Sequence, residues 1–391
     1  MPDPFSTLPL PLPLMVLTAI EDLSTLNYLL QASPAANVIF EGYYSEITEA
    51  VMSNFVPELQ QLLRTIVSMR SDRSSIKDTV DTPEALDSFL AARALSSNAS
   101  AKPLSNTTVS LSAVRSLTSS ASLVQQVSAC FFEELLNRVN KIKPSYLLDQ
   151  SYSYHSRYPR YPKKIPEGRP YKPLQCGHPS WIEEQRVLRA LWRLEVYFDL
   201  VAITRPKTGS TSQVWNLLGN EGPHRIWPRL MRWETRELDC VYDYLYDISD
   251  ATTRPPGQPL HLAKLPLIEH GSVTVPRSTP VHDVLVYNWC QSTIFLGKMS
   301  PAMKFLNTIG KLSFSPLYRS SFEPFQRLGF GIWDSEKMAR LGLNQYSMRT
   351  LPADVSKMYR VGPFEGRPQQ NDLLFRCNSL LVDGCKSNGE Q

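Results

Sequence analysis

The stretch "LPLPLPLMVLTAIEDLSTLNYLLQASPAANVIF", residues 8–40, decides how the chain begins to fold. Three Leu-Pro pairs run directly into an apolar segment. A proline disfavours the α conformation in the residue before it, so Leu8, Leu10 and Leu12 are expected to be extended. The first helix is then expected to begin at Pro13, whose missing N–H would be unpaired in a first turn anyway. Leu14, Val16, Leu17 and Ile20 follow at helical spacing, with a break at Glu21-Asp22. Asp22 suits the N-cap of a second helix over 23–31, with Leu23, Leu26, Leu29 and Leu30 as its apolar positions. Ser33-Pro34 stops that helix and opens the next, and the pattern predicts further helices over 35–41 and 44–52. The opening does not read as a secretory signal. It lacks a positive n-region, Asp3 precedes the apolar run, and Pro9, Pro11 and Pro13 interrupt what would be its core.

Working outward, the same helical devices recur. Asn54 to Pro57 and Thr82-Pro83 are helix entries, the first ahead of Leu59, Leu62, Leu63 and Ile66. Residues 96–122 are rich in Ser, Thr, Asn and Ala and predict a mobile connection with weak helix around 109–117. A long amphipathic helix is expected over 123–142. Ser180 with Glu183 forms a capping box ahead of Leu188, Leu191, Trp192 and Phe198. Pro228 opens a helix whose stripe is Leu230, Met231, Leu238, Val241, Tyr242 and Leu245. Residues 284–297 lean towards helix. Asp334 caps a last helix that holds Lys337, Met338 and Leu341 inside and stops at Gly342. With 31 prolines and 17 glycines in 391 residues, short helices joined by extended connections are expected. The fold class is mostly α. The expected organisation is a short-helix unit over 1–55, a helical extension over 56–95, a flexible linker over 96–122, a helical domain over 123–380, and a disordered tail over 381–391.

Composition excludes several functions. A net charge of +4 is too mild to call for nucleic acid or an anionic membrane. No apolar stretch reaches the roughly 18–20 residues that span a membrane. The six cysteines are widely and irregularly spaced, with no Cys-x-x-Cys pair, and read as free thiols in a reducing compartment. The chain is therefore expected to be intracellular, in the cytoplasm or nucleus. Cys176 and His178 with His224 and Cys240 do not match a metal-ligand spacing, so no metal or cofactor is expected. Glu234, Glu237, Asp239, Asp243, Asp247 and Asp250 read as the solvated face of a helix rather than as paired catalytic carboxylates. The phosphate-loop, nucleophile-elbow, dinucleotide and zinc-protease motifs are absent, so the chain is not read as an enzyme. Two rival readings stay open. One is an enzyme of unfamiliar fold in which His178, His224 or His282 meets a carboxylate. The other is RNA binding through the basic Tyr/Pro-rich segment 151–173, which carries Arg157, Arg160, Lys163, Lys164, Arg169 and Lys172.

The order of features from Leu8 to Phe40 resembles an F-box. Leu8-Pro9 matches its opening. Leu12, Val16, Leu17 and Ile20 fall where its first helix is apolar, and "DLSTLNYLLQAS" (22–33) matches its second part. Pro11 stands where that motif carries an acidic residue. "LLQASP", "EEQRVLRALWRLEVYFDL" (183–200) and "GFGIWDSEKMARLGL" (329–343) look similar to segments of a large group of filamentous-fungal proteins with an F-box-like leader. The resemblance implies a protein-interaction adaptor without catalysis. It implies docking through Leu8, Pro9, Leu12, Val16, Leu17, Ile20, Leu23 and Leu26 on a Skp-type linker subunit of a cullin–RING ubiquitin ligase, with a separate protein as substrate.

Overall fold

The computed structural model describes residues 3–92, 103–104, 109–149, 152, 167–174, 176–206, 212–228, 230–248, 299–310, 317, 322–343, 376–377 and 379–380. The described chain is mostly helical, with thirteen α-helices and two three-residue strands. Five of the helices start on proline: α1 (Pro11–Thr18), α3 (Pro34–Met52), α4 (Pro57–Ser71), α6 (Pro83–Ala92) and α11 (Pro301–Gly310). At that position the missing N–H costs nothing and the fixed φ is already helical. The remaining helices are α2 (Leu23–Ala32), α5 (Arg73–Thr79), α7 (Leu111–Lys141), α8 (Trp181–Thr204), α9 (Gln213–Glu221), α10 (Arg232–Ile248), α12 (Glu323–Arg327) and α13 (Ser335–Arg340).

The chain forms two compact units. The first comprises Met1–Cys130 and Val187–Val275, the second Phe131–Arg186 and Pro276–Gln391. In the first unit a 3-10 turn, Pro4–Ser6, precedes α1, and α3 packs on that turn, on α1 and on α2. Leu17, Leu23, Leu26, Ala36, Phe40, Ile47, Val51 and Met52 are buried there. Asp22 caps α2 as expected, its carboxylate accepting the Thr25 N–H at 2.9 Å. Ser33 ends α2 and caps α3, its hydroxyl accepting the Ala36 N–H at 3.0 Å. The two helices expected over 35–52 are one, bent at Tyr43, where φ −131° and ψ 24° leave the helical region.

Three further expectations need correction. The first helix begins at Pro11, not Pro13, and Leu10 is helical at φ −45°, ψ −38° rather than extended. The pre-proline preference is a soft restriction. Pro11 and Pro13 both fall in the first turn, where no N–H is needed, and the Leu12 N–H still reaches Pro9 O at 3.0 Å. Second, α7 begins at Leu111, so residues 111–122, expected in the flexible linker, are helical. Their polar composition hides an apolar stripe: Ala113, Val114, Leu117 and Ala121 are buried at helical spacing. Third, α10 begins at Arg232 rather than at Pro228, because the Glu234 carboxylate reaches back to accept the Met231 N–H at 3.0 Å. Met231, assigned to the apolar stripe, is exposed.

In the second unit, strands β1 (Ser145–Leu147) and β2 (Gly168–Pro170) pair antiparallel, with Tyr146 opposite Arg169. Phe131 and Phe132 in the last third of α7 pack edge-to-face, and Phe132 meets Trp333. Gly329 makes that packing possible. Its φ is +82°, and a Cβ there would lie 2.8 Å from Trp333 Cε2 and 2.9 Å from Leu135 Cδ1. The other extended and helical expectations at 153–166, 250 and 284–297, and the tail 381–391, lie outside the described residues.

Gly329→Ala is expected to lower the unfolding free energy by about 2–4 kcal/mol, through left-handed strain added to overpacking against Trp333. Urea denaturation measures it. Gly219→Ala, mid-helix with open space around it, serves as the control and is expected to lose nothing.

Candidate functional site

The residues expected to dock a partner divide into two sets. Leu8, Pro9, Leu12 and Val16 are exposed, with Leu12 at 48% and Val16 at 46%. Leu17, Ile20, Leu23 and Leu26 are buried, Leu17 completely. Leu10 and Met15 join the exposed set. The helical register explains the division. On α1, Pro13 and Leu17 are four apart and face inwards, whereas Leu12, Met15 and Val16 lie on the other side. No residue from Pro4 to Ile20 is charged. The first unit thus carries an apolar, charge-free surface at its N-terminus.

The first unit also holds a buried ionic network centred on α8. Arg189 and Glu237 pair directly, with side chains 2% and 1% exposed. Arg189 also donates to Glu58 Oε2 at 3.2 Å, and its guanidinium sits 5.1 Å from the ring centroid of Trp233. Arg193 pairs with Glu58 and, at 2.6 Å, with Glu234, over the ring of Trp227. Burial alone would raise the Glu58 carboxyl, but the two arginines outweigh it and hold it below its ordinary value. Burial would likewise lower Arg189, and Glu237 and Glu58 reverse that. A third cation, Arg70 on α4, donates to Glu195 at 2.6 Å and Asp199 at 2.8 Å, and also to Ser116 and Ser120 of α7. Burial pushes Asp199 up to about 6, against the pull of Arg70.

This network corrects the reading of α10 as presenting one solvated acidic face. Glu234 and Glu237 point inwards to the arginines of α8, while Asp243 and Asp247 are exposed. Asp239 accepts from His224 Nε2 at 2.8 Å, and that hydrogen bond raises the histidine's pKa. Asp250 is outside the described residues.

In the second unit the Cys176-Gly177-His178 segment meets Lys337. The buried Nζ donates to the carbonyls of Cys176 (2.6 Å), Gly177 (3.2 Å) and His178 (2.5 Å). Gly177 allows the turn, at φ +63°. Glu183, fully buried, accepts the N–H of Ser180 at 2.8 Å and that of Asp334 at 2.8 Å, so one carboxyl serves the N-termini of α8 and α13. Burial and then the nearby Asp334 push it up to about 8, although Lys337 lies 3.9 Å away. Burial also pushes the Cys176 thiol up to about 11, which makes it a poor nucleophile.

Among the described residues no three His, Cys, Asp or Glu side chains are placed to hold a metal ion. His282 and most of the basic segment 151–173 lie outside the described residues; of that segment, Arg169 is exposed in β2. No described helix is long and apolar enough to cross a membrane. No protein-family model, curated protein or solved structure matches the chain. The buried arginines had a signal in the sequence that periodicity alone did not capture. Arg186, Arg189 and Arg193 recur on one stripe of a helix whose neighbouring positions are largely buried and apolar.

Arg189→Ala is expected to cost about 3–5 kcal/mol, because Glu237 is left buried without its cation, whereas Arg189→Met with Glu237→Leu is expected to cost less. Chemical denaturation of the singles and the double separates the two terms. For Glu183 the folded value is about 8 against an ordinary 4.5, so the folded chain holds an extra proton between those values. Its contribution is full below pH 4.5 and is lost as the pH rises to about 8. Thermal unfolding from pH 5 to 9 should therefore fall more steeply for the wild type than for Glu183→Gln.

Proposed function

We propose that the chain is an F-box-like protein-interaction adaptor without catalysis of its own, working inside the cell in the cytoplasm or nucleus. Its N-terminal unit docks on a Skp-type linker subunit of a cullin–RING ubiquitin ligase, and the rest of the chain receives a protein substrate. One observation carries this reading: the face of α1 and its lead-in is apolar, free of charge and exposed, while Pro13 and Leu17 on the opposite face are buried. Apolar side chains gathered on one exposed face mark interaction sites in soluble domains. The resemblance of residues 8–40 to an F-box, and of the chain to filamentous-fungal proteins with that leader, names the partner.

The docking residues are Leu8, Pro9, Leu12 and Val16, joined by Leu10 and Met15. Leu17, Ile20, Leu23 and Leu26 support them from within the core. The proposal therefore predicts two distinct phenotypes. Leu12→Asp and Val16→Asp should each weaken linker binding roughly thirty-fold, the effect of losing about 2 kcal/mol at an interface centre, with no change in melting temperature. Leu17→Asp should instead unfold the N-terminal unit. Co-purification and titration of the full chain with a Skp-type linker measure this. A wild-type chain that does not bind the linker sinks the adaptor reading.

A further inference from the structure

The exposed leader has an unusual support. From Pro4 to Leu12 no side chain is buried; the first buried residue is Pro13, inside α1. Apolar burial therefore holds the lead-in only at Phe5, which is half-buried where the 3-10 turn packs on α3. Asp3 does make a set of specific contacts at its start. Asp3 Oδ1 accepts the Phe5 N–H at 2.9 Å and so caps the 3-10 turn. The Ser33 hydroxyl donates to the same carboxylate, at 2.9 Å to Oδ1 and 2.7 Å to Oδ2, and the Ala35 N–H reaches Oδ2 at 3.0 Å. Ser33 in turn accepts the Ala36 N–H. The carboxylate thus completes the N-terminal cap of the 19-residue helix α3 from 30 residues upstream. Negative charge is favoured there by the unpaired N–H groups of the first turn. The hydrogen bonds from Ala35 and Ser33 lower the Asp3 pKa.

We infer that Asp3 is a positioning residue: its carboxylate fastens the lead-in to the start of α3 and so fixes the exposed Leu8, Leu10 and Leu12 in the arrangement that docks. The inference rests on the adaptor reading for its consequence, but the clasp itself can be tested without a partner. Two contacts set the ends of the exposed span, the Asp3 clasp before it and the buried Pro13 and Leu17 after it. With the first removed, the span is left to α1 and to the half-buried Phe5 of the 3-10 turn.

The test uses full-length Asp3→Ala and Asp3→Asn. Hydrogen exchange of the Ser6, Leu12 and Leu14 amides reads the order of the lead-in, and titration with the Skp-type linker reads docking. In Asp3→Ala those amides should exchange roughly ten-fold faster or more, with a melting temperature lowered by no more than the loss of a helix cap allows and with linker affinity several-fold weaker. Asp3→Asn, which keeps the shape without the charge, should fall between. Unchanged exchange in Asp3→Ala overturns the inference. So does faster exchange with unaltered linker affinity in a protein whose Leu12→Asp variant no longer binds. If the wild type does not bind the linker, the adaptor reading fails, and exchange alone decides whether Asp3 fastens the lead-in.

Discussion

The pairing of Arg189 with Glu237 is the constraint around which the first unit is built. Both side chains are out of water, and neither could be left there alone. A guanidinium tolerates this position better than an ammonium would, because it is weakly hydrated and its flat faces can lie against an aromatic ring. Trp233 supplies that ring, and Glu58 takes a further N–H from the solvent side. Three helices, α4, α8 and α10, must therefore arrive in one register. Hydrophobic packing alone would choose less sharply among rotations of α8, whose middle carries apolar residues on several sides. The ion pairs remove that freedom, and Arg70 repeats the device with α7. A buried ion pair adds little net stability over a well-packed apolar pair, but leaving either partner alone is strongly unfavourable, which disfavours arrangements that separate them.

The second unit uses backbone rather than side-chain partners for the same end. Glu183 and Lys337 are both buried, yet most of their hydrogen bonds go to main-chain N–H and C=O groups. A buried backbone group left unpaired is costly, and helix N-termini and tight turns present such groups in clusters. One carboxyl closing two helix starts, and one ammonium closing a turn, answer that requirement with two residues.

Helix existence was largely legible in the sequence, because its signals are local. Asp22, Ser33, Ser180 and Asp334 cap helices where their side chains suggest, and Pro34, Pro57 and Pro83 open them. Boundaries that depend on distant or weak signals were not. Residues 111–122 look like a linker by composition, and only packing of their four apolar side chains makes them helix. The start of α1 turned on a steric preference too soft to resist two prolines in one turn. For the candidate site, apolar residues from Leu8 to Leu26 could be picked out. Their division into exposed and buried sets could not, because it depends on which side α3 covers. The buried arginines were missed because charge is ordinarily read as surface, and the partner carboxylates lie 48 and 131 residues away in the chain. The Asp3 clasp was invisible for the same reason.

The contact between Lys337 and residues 176–178 has an evolutionary consequence. Its ammonium engages three main-chain oxygens and, among these bonds, no side chain of the turn. Main-chain carbonyls are present whatever residue stands at a position. The turn can therefore drift in sequence at Cys176 and His178 without losing its anchor, provided Gly177 keeps its left-handed geometry. Position 337 has no such latitude. Homologous chains should show a lysine that persists opposite a turn whose flanking residues vary, a pattern in which the constraint is carried by one partner and the tolerance by the other.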